Sequence, residues 1–170
     1  MEGLELRTFT EEEYHRFFRN YQSDPMMDPV PFKYNREQIS RSYEYNHGGY
    51  RNDYVHYGIF LDGNPVGSFQ LKRMDPVRKT CEFGIILQNN SVKNRGIGSA
   101  AIKEGMRIAR NEYGIETLIG DTMGRNHRMI RVFEKLGFTQ TETVPASFEL
   151  PDGSREDRLV YSIRLTEESL

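Results

Sequence analysis

The sequence has no tryptophan and one cysteine, Cys81, among its 170 residues. A single thiol cannot form an intrachain disulfide, and a zinc cluster built on cysteines is excluded with it. No apolar run is long enough to span a bilayer, and Met1-Glu-Gly-Leu-Glu-Leu-Arg7 carries no apolar signal region. Neither sign of charge predominates. With 23 Lys and Arg against 25 Asp and Glu, the net charge is −2, whereas a nucleic-acid-binding domain is usually basic. The absences together lead us to expect a cytoplasmic protein with no nucleic-acid partner, no membrane association and no metal.

What is present is the composition of a folded chain, with 28% charged and 36% hydrophobic residues. The length suits one domain over residues 1–170 with a core of its own. Leu4 to Phe9 reads as a short strand. Thr10 and Glu13 form a capping box, and Tyr14, Phe17, Phe18 and Tyr21 follow at helical spacing. A loop broken by Pro25, Pro29 and Pro31 leads to a second helix, started by Asn35 with Gln38 and ending near Gly48-Gly49. Val55–Leu61 and Val66–Met74 flank the hairpin turn Asp62-Gly63-Asn64-Pro65, and a turn at Pro76–Lys79 leads into a strand over Thr80–Leu87.

A helix after Gly98 places Ala101, Ile102, Gly105, Met106, Ala109 and Tyr113 on one face. Thr117–Asp121 is a strand, and Met129, Ile130, Phe133 and Leu136 line a helix that Gly137 terminates. Thr139–Leu150 and Asp157–Leu165 close the chain as a hairpin turning at Pro151-Asp152-Gly153. The order β-α-α-β-β-β-α-β-α-β-β implies an α+β (mixed α/β) fold, a mostly antiparallel mixed sheet with helices on both faces.

Chemistry concentrates at Lys93-Asn-Arg-Gly96-Ile-Gly98-Ser99, where an apolar strand runs through a glycine turn into a helix. Such a turn leaves backbone N–H groups unpaired at the positive end of a helix dipole, a site suited to phosphate. The glycines alone are equally consistent with a tight turn that binds nothing. Gly96-Ile-Gly98-Ser-Ala-Ala101 also satisfies the dinucleotide pattern. Three hairpin-linked strands before the turn and one crossover after it do not build a dinucleotide domain. No Gly-Lys-Ser/Thr follows, so the nucleoside-triphosphate loop fails as well.

Lys93-Asn-Arg-Gly96-Ile-Gly98, followed by Asn126 and by Phe133-Glu-Lys-Leu-Gly-Phe138, resembles the cofactor motifs of the GNAT superfamily of N-acetyltransferases over roughly residues 54–165. Lys93 stands where that pattern usually has Gln or Arg. The resemblance implies a GNAT-like fold and acetyl-coenzyme A as co-substrate. It places the pyrophosphate on the amides of Asn94, Arg95, Gly96, Ile97, Gly98 and Ser99, and the pantetheine arm along Ile86, Leu87 and Gln88. Asn126 would hold that arm or cap its helix, or do both. Lys93 and Arg95 would add charge near the phosphates or remain solvated loop cations. Phe133 occupies the position where many members carry a tyrosine acid for the leaving thiolate, with Tyr34, Tyr45, Tyr50, Tyr57 or His127 as conceivable substitutes.

Glu82 stands where family members that use a glutamate base carry it. A glutamate in a strand equally suits an ion pair with a neighbouring strand. The acceptor implied is a primary amine, its pocket drawn from the first helices and their aromatic, proline-broken loop, with Asp24, Asp28, Glu37, Glu44 and Asp53 nearby. The closing strands are similar to the ribosomal-protein-alanine and spermidine N-acetyltransferase branches. The edge strand of the terminal hairpin could pair two copies as a homodimer.

Overall fold

The computed structural model describes every residue from Met1 to Leu170. Its elements are β1 (Leu4–Arg7), α1 (Glu11–Arg19), α2 (Arg36–His47), β2 (Val55–Leu61), β3 (Asn64–Asp75), β4 (Thr80–Leu87), α3 (Ile97–Tyr113), β5 (Thr117–Met123), α4 (His127–Lys135), β6 (Thr139–Glu149) and β7 (Arg155–Arg164). This is the predicted order. All seven strands join one sheet in the order β1-β2-β3-β4-β5-β7-β6. Every neighbouring pair is antiparallel except β4 with β5.

Local signals explain most boundaries. The Thr10 side chain accepts from the Glu13 N–H while the Glu13 carboxylate accepts from the Thr10 N–H, which completes the expected capping box. Asn35 caps α2 by accepting from the Gln38 N–H. The turn between β2 and β3 is tighter than expected. Asp62 and Gly63 alone form it, with φ of 50° and 78°, the left-handed pair that a two-residue hairpin of this twist requires. Asn64 and Pro65 already belong to β3. The first strand is shorter than expected, because pairing with β2 stops at Arg7 and Phe9 turns into an aromatic cluster with Tyr14, Phe17 and Phe60.

Alternation along the strands separates two cores. On one face, Phe69, Leu71, Cys81, Phe83 and Leu118 pack beneath Ile97, Ala101, Ile102 and Met106 of α3. Each large aliphatic side chain so buried contributes about 1.5–3 kcal/mol of transfer free energy. Gly105 lets α3 approach the sheet, since a Cβ there would stand 2.2 Å from the Phe69 ring. Tyr113 continues this face, as the sequence pattern suggests, but at its rim. It is 38% exposed at the last turn of α3, and its hydroxyl lies 3.3 Å from that of Tyr57.

The opposite face carries α1 and α2 over β1–β3. Here His56, 3% exposed, shares a hydrogen bond with the Ser68 hydroxyl through Nε2 and leaves Nδ1 without a partner. Burial, then the neighbouring His47, pushes its pKa down to about 3. Burial lowers His47 in the same direction. A folded-state pKa below that of the unfolded chain means that the unfolded chain binds the proton more readily. The stabilisation is therefore complete above about pH 6.5, and it falls as the pH drops from there toward 3. We expect His56→Gln, which keeps a partner for Ser68 and cannot titrate there, to flatten this dependence. Urea unfolding between pH 7 and 4.5 should show wild type losing up to about 1.4 kcal/mol per pH unit relative to the variant. Parallel curves would remove His56 as the source.

Candidate active site

Two features of the sheet position the site. Parallel pairing between β4 and β5 covers only Thr80↔Thr117, Cys81↔Leu118 and Glu82↔Ile119. Beyond Glu82 the strands part, while β3 and β7 hold their outer edges. From Phe83 to Leu87 the inner edge of β4 therefore has no strand neighbour, and a groove opens toward the glycine turn.

That turn is built as the sequence indicated. A single 3₁₀ turn at Asn90–Val92 delivers the chain to Asn94 and Gly96, with φ of 60° and 77°. Gly96 begins α3 with no side-chain cap. The backbone N–H groups of Asn94, Arg95, Gly96, Ile97, Gly98 and Ser99 make no hydrogen bond within the chain, and the first helical donor to be satisfied is that of Ala100. Six unpaired donors at a helix N-terminus are a site for an oxyanion group. A Cβ built on Gly98 meets nothing within 4 Å, so the cradle is open above it. The Ile97 side chain is 1% exposed in the core, leaving only its backbone to face outward. Arg95 is exposed and free of ion pairs.

Lys93 serves a different purpose from the one its position suggested. Its ammonium, 11% exposed, pairs with Asp24 at 2.9 Å and so ties the proline-broken loop between α1 and α2 to the glycine turn. That hydrogen bond is the main cause holding the Asp24 carboxyl below its usual range. A second tie lies across the groove. Asn126 caps α4 by accepting from the Met129 N–H at 3.2 Å, while its Nδ2 donates to the Met27 sulfur at 3.3 Å. A thioether is a weak acceptor, so this donor is readily given up to a carbonyl entering the groove.

Two expected residues do not face the groove. Gln88 is fully committed: its N–H donates to Val66, its carbonyl accepts from Gln22, and its side chain donates to the Phe17 carbonyl. Only Ile86 and Leu87 remain for a strand-like contact. Phe133 is fully buried, stacked on Tyr161 at 4.4 Å and edge-on to Phe138 at 5.2 Å. Its place is the core.

Three of the four substitute phenols are engaged elsewhere, while that of Tyr45 is exposed and makes no hydrogen bond. Tyr34 bonds His15 at 2.7 Å, Tyr50 donates to Glu44, and Tyr57 meets Tyr113. Part of the expected aromatic wall for a cation is already taken by the protein's own guanidinium groups. Arg51 lies 3.9 Å from the Tyr54 ring and 5.7 Å from that of Tyr45, and Arg19 lies 5.4 Å from Tyr34. Among the acids, Glu37 pairs with Arg41, and Asp28 accepts from the Val30 N–H. His127 opens α4 and makes no side-chain hydrogen bond.

Glu82 is on the face expected for it, pointing away from Cys81 and Phe83. Its Oε2 accepts from Arg73 on the neighbouring strand, which is the ion-pair alternative that the sequence left open. Its Oε1 has no partner. The hydrogen bond to Glu82 foremost, with Asp121 and Asp53 at longer range, holds the Arg73 guanidinium above its ordinary value. Asp121, two residues past Ile119 on the same face of β5, accepts from Arg158 of β7. Lys72, Arg73 and Arg158 were not singled out from sequence. The strand register across the Pro76–Lys79 turn, counted from Asp75↔Thr80, would have placed Arg73 opposite Glu82, and the one-residue shift brings Lys72 there instead. Nothing in composition marks the bulge at Arg73.

A mixed sheet split between its parallel strands, with a glycine-opened helix at the mouth of the split, defines the acyl-coenzyme A-binding class of fold. The model of the Acetyltransferase (GNAT) domain matches residues 3–139, and the chain belongs to that family. YwnH of Bacillus subtilis (strain 168), named provisionally as a phosphinothricin acetyltransferase, is 35% identical over 88 residues, 52% of this chain and 52% of its own. The match thus spans about half the length of this curated relative. Among solved structures, a chimera of the Vibrio cholerae spermidine N-acetyltransferase SpeG with hSSAT superposes with a TM-score of 0.84 at 14% identity, covering 96% of both chains. The ribosomal L7/L12 alpha-N-protein acetyltransferase RimL, solved with coenzyme A, has a TM-score of 0.81 at 19% identity, covering 97% of this chain and 96% of its own. At these identities the structures share the fold.

Proposed function

We propose that the protein transfers the acetyl group of acetyl-coenzyme A directly to a primary amine in a ternary complex in the cytoplasm. The observation that carries this reading is the set of six unpaired N–H groups from Asn94 to Ser99 at the mouth of the β4–β5 split. These amides receive the diphosphate, and the inner edge of β4 at Ile86 and Leu87 pairs with the pantetheine amides as an added strand would. Asn126 exchanges Met27 for a pantetheine carbonyl. The amine approaches from the face that carries Glu82, whose Oε1 takes the ammonium proton, directly or through water, while Oε2 stays with Arg73. An unpaired β4 N–H near Ile86 polarises the thioester carbonyl. Two copies would pair through the free edge of β6.

One observation favours a second reading, a non-catalytic acyl-coenzyme A-binding module: Phe133 supplies no phenol, and those of Tyr34, Tyr50 and Tyr57 are engaged elsewhere. The deciding experiment is release of free thiol from acetyl-coenzyme A across polyamines, amino acids, aminoglycosides and short peptides. Amine-dependent release establishes the transferase. Tight cofactor binding with no release from any amine selects the module.

A further inference from the structure

The floor of the acceptor side carries a cation that the ion-pair pattern leaves over. Lys72 stands directly across the β3–β4 ladder from Glu82, where an opposite-charge pair is the ordinary outcome. That pair does not form. The register shifts immediately after Lys72, and Arg73 adopts a left-handed φ of 50°, which swings its guanidinium onto Glu82 in place of the lysine. A bulge that re-aims a side chain beside a site is a recurring device, and a non-glycine residue held at positive φ carries strain that the surroundings must offset.

Lys72 is consequently half-buried and makes no ion pair or side-chain hydrogen bond. Its Nζ and the Gln70 amide oxygen both lean over Gly84 instead, 3.7 Å and 3.2 Å from where a Cβ on that glycine would stand. The absence of a side chain at Gly84 keeps the space above this pair clear. The nearest acids are committed elsewhere: Glu82 is held by Arg73, Asp121 by Arg158, and Asp53 acts on Arg73 at longer range, while Arg51 already lies over Tyr54 and Tyr45. A polycation would meet an unpaired ammonium here and find Tyr45 and Tyr54 already facing Arg51. An acceptor that carries an anion close to its amine would find both of its charges matched, the amine at the free Oε1 of Glu82 and the anion at Lys72.

We propose that the acceptor is an amphoteric amine of the amino-acid type, and that Lys72 with Gln70 binds its carboxylate or equivalent oxyanion. The inference deepens the transferase reading and rests on it. Lys72 is a specificity-determining residue: it holds the end of the acceptor that does not react.

The test compares α-amino acids with their uncharged primary amides, and with spermidine, as acceptors for wild type, Lys72→Met and Lys72→Arg. A charged hydrogen bond of this kind makes a difference of about tenfold or more. Wild type should favour at least one amino acid over its own amide by about that factor in kcat/KM. Lys72→Met should abolish the preference by raising KM for the acid, leaving kcat and the rate with the amide nearly unchanged, and Lys72→Arg should restore part of it. Calorimetry in the presence of coenzyme A adds a readout independent of turnover, with the N-acetyl amino acid binding wild type more tightly than its amide and Lys72→Met showing no difference. Equal use of acid and amide by wild type, or spermidine as the preferred acceptor, overturns the assignment while leaving the transferase intact. Absence of thiol release with every amine overturns the transferase reading, and calorimetry then decides on Lys72: charge-selective binding that Lys72→Met abolishes supports it as the anion site, and equal binding of acid and amide overturns it.

Discussion

Gly98→Glu should leave the fold intact and reduce coenzyme A affinity at least about a hundredfold by calorimetry, an estimate of about 3 kcal/mol or more. The two halves of that expectation have separate causes. A Cβ at this position meets nothing, and an acidic side chain in the first helical turn is favourable to the helix. The melting temperature of the free protein should accordingly hold or rise. The same carboxylate would sit where the diphosphate must lie, competing for the amides of Ile97 to Ser99 and repelling the ligand's charge. Gly96→Glu should have the same effect on binding with an added cost in stability, because Gly96 sits at a φ of 77°, which side-chain-bearing residues adopt at about 1–2 kcal/mol. Unchanged affinity in the stable Gly98→Glu variant would show that the phosphates bind elsewhere.

For Glu82→Gln the expected result is a fall in kcat of about a hundredfold at neutral pH, the lower end of what a positioned general base supplies, with coenzyme A affinity within a factor of about two. An amide oxygen still accepts from Arg73, so the strand pairing is preserved and the loss falls on proton transfer. The deficit should shrink as the pH rises and the free amine reaches the site already deprotonated. Were Glu82 only an ion-pair partner, the variant would lose stability on the scale of a partly exposed pair, up to about 1 kcal/mol, and keep its turnover. Full activity at neutral pH would take Glu82 out of the mechanism.

The fold was legible because its signals are local and mutually consistent. The capping box at Thr10, the Asn35 cap, the Asp62-Gly63 turn and the apolar stripe of α3 each agree with the element order, and that order alone decides between parallel and mixed sheets. The cofactor turn was legible for the same reason, since Gly96 and Gly98 mark backbone geometry and amides do not depend on side-chain identity. What escaped the sequence depends on non-local side-chain choices. Lys93 turns to Asp24 and Gln88 to Phe17, each 69 to 71 positions away in the chain, and Phe133 is claimed by Tyr161 and Phe138. The bulge that gives Glu82 to Arg73 has no glycine to announce it, so the freed lysine appears only in three dimensions.

The loop between α1 and α2 is fastened at both banks of the groove, by Asp24 to Lys93 and by Met27 to Asn126. Before cofactor binds, its position therefore depends on residues of the cofactor site, and beyond Met27 it is held by the packing of Phe32 and Tyr34. A change of acceptor can be met by redrawing the span, whereas replacing Asp24 or Lys93 would loosen the loop from the glycine turn that receives the cofactor.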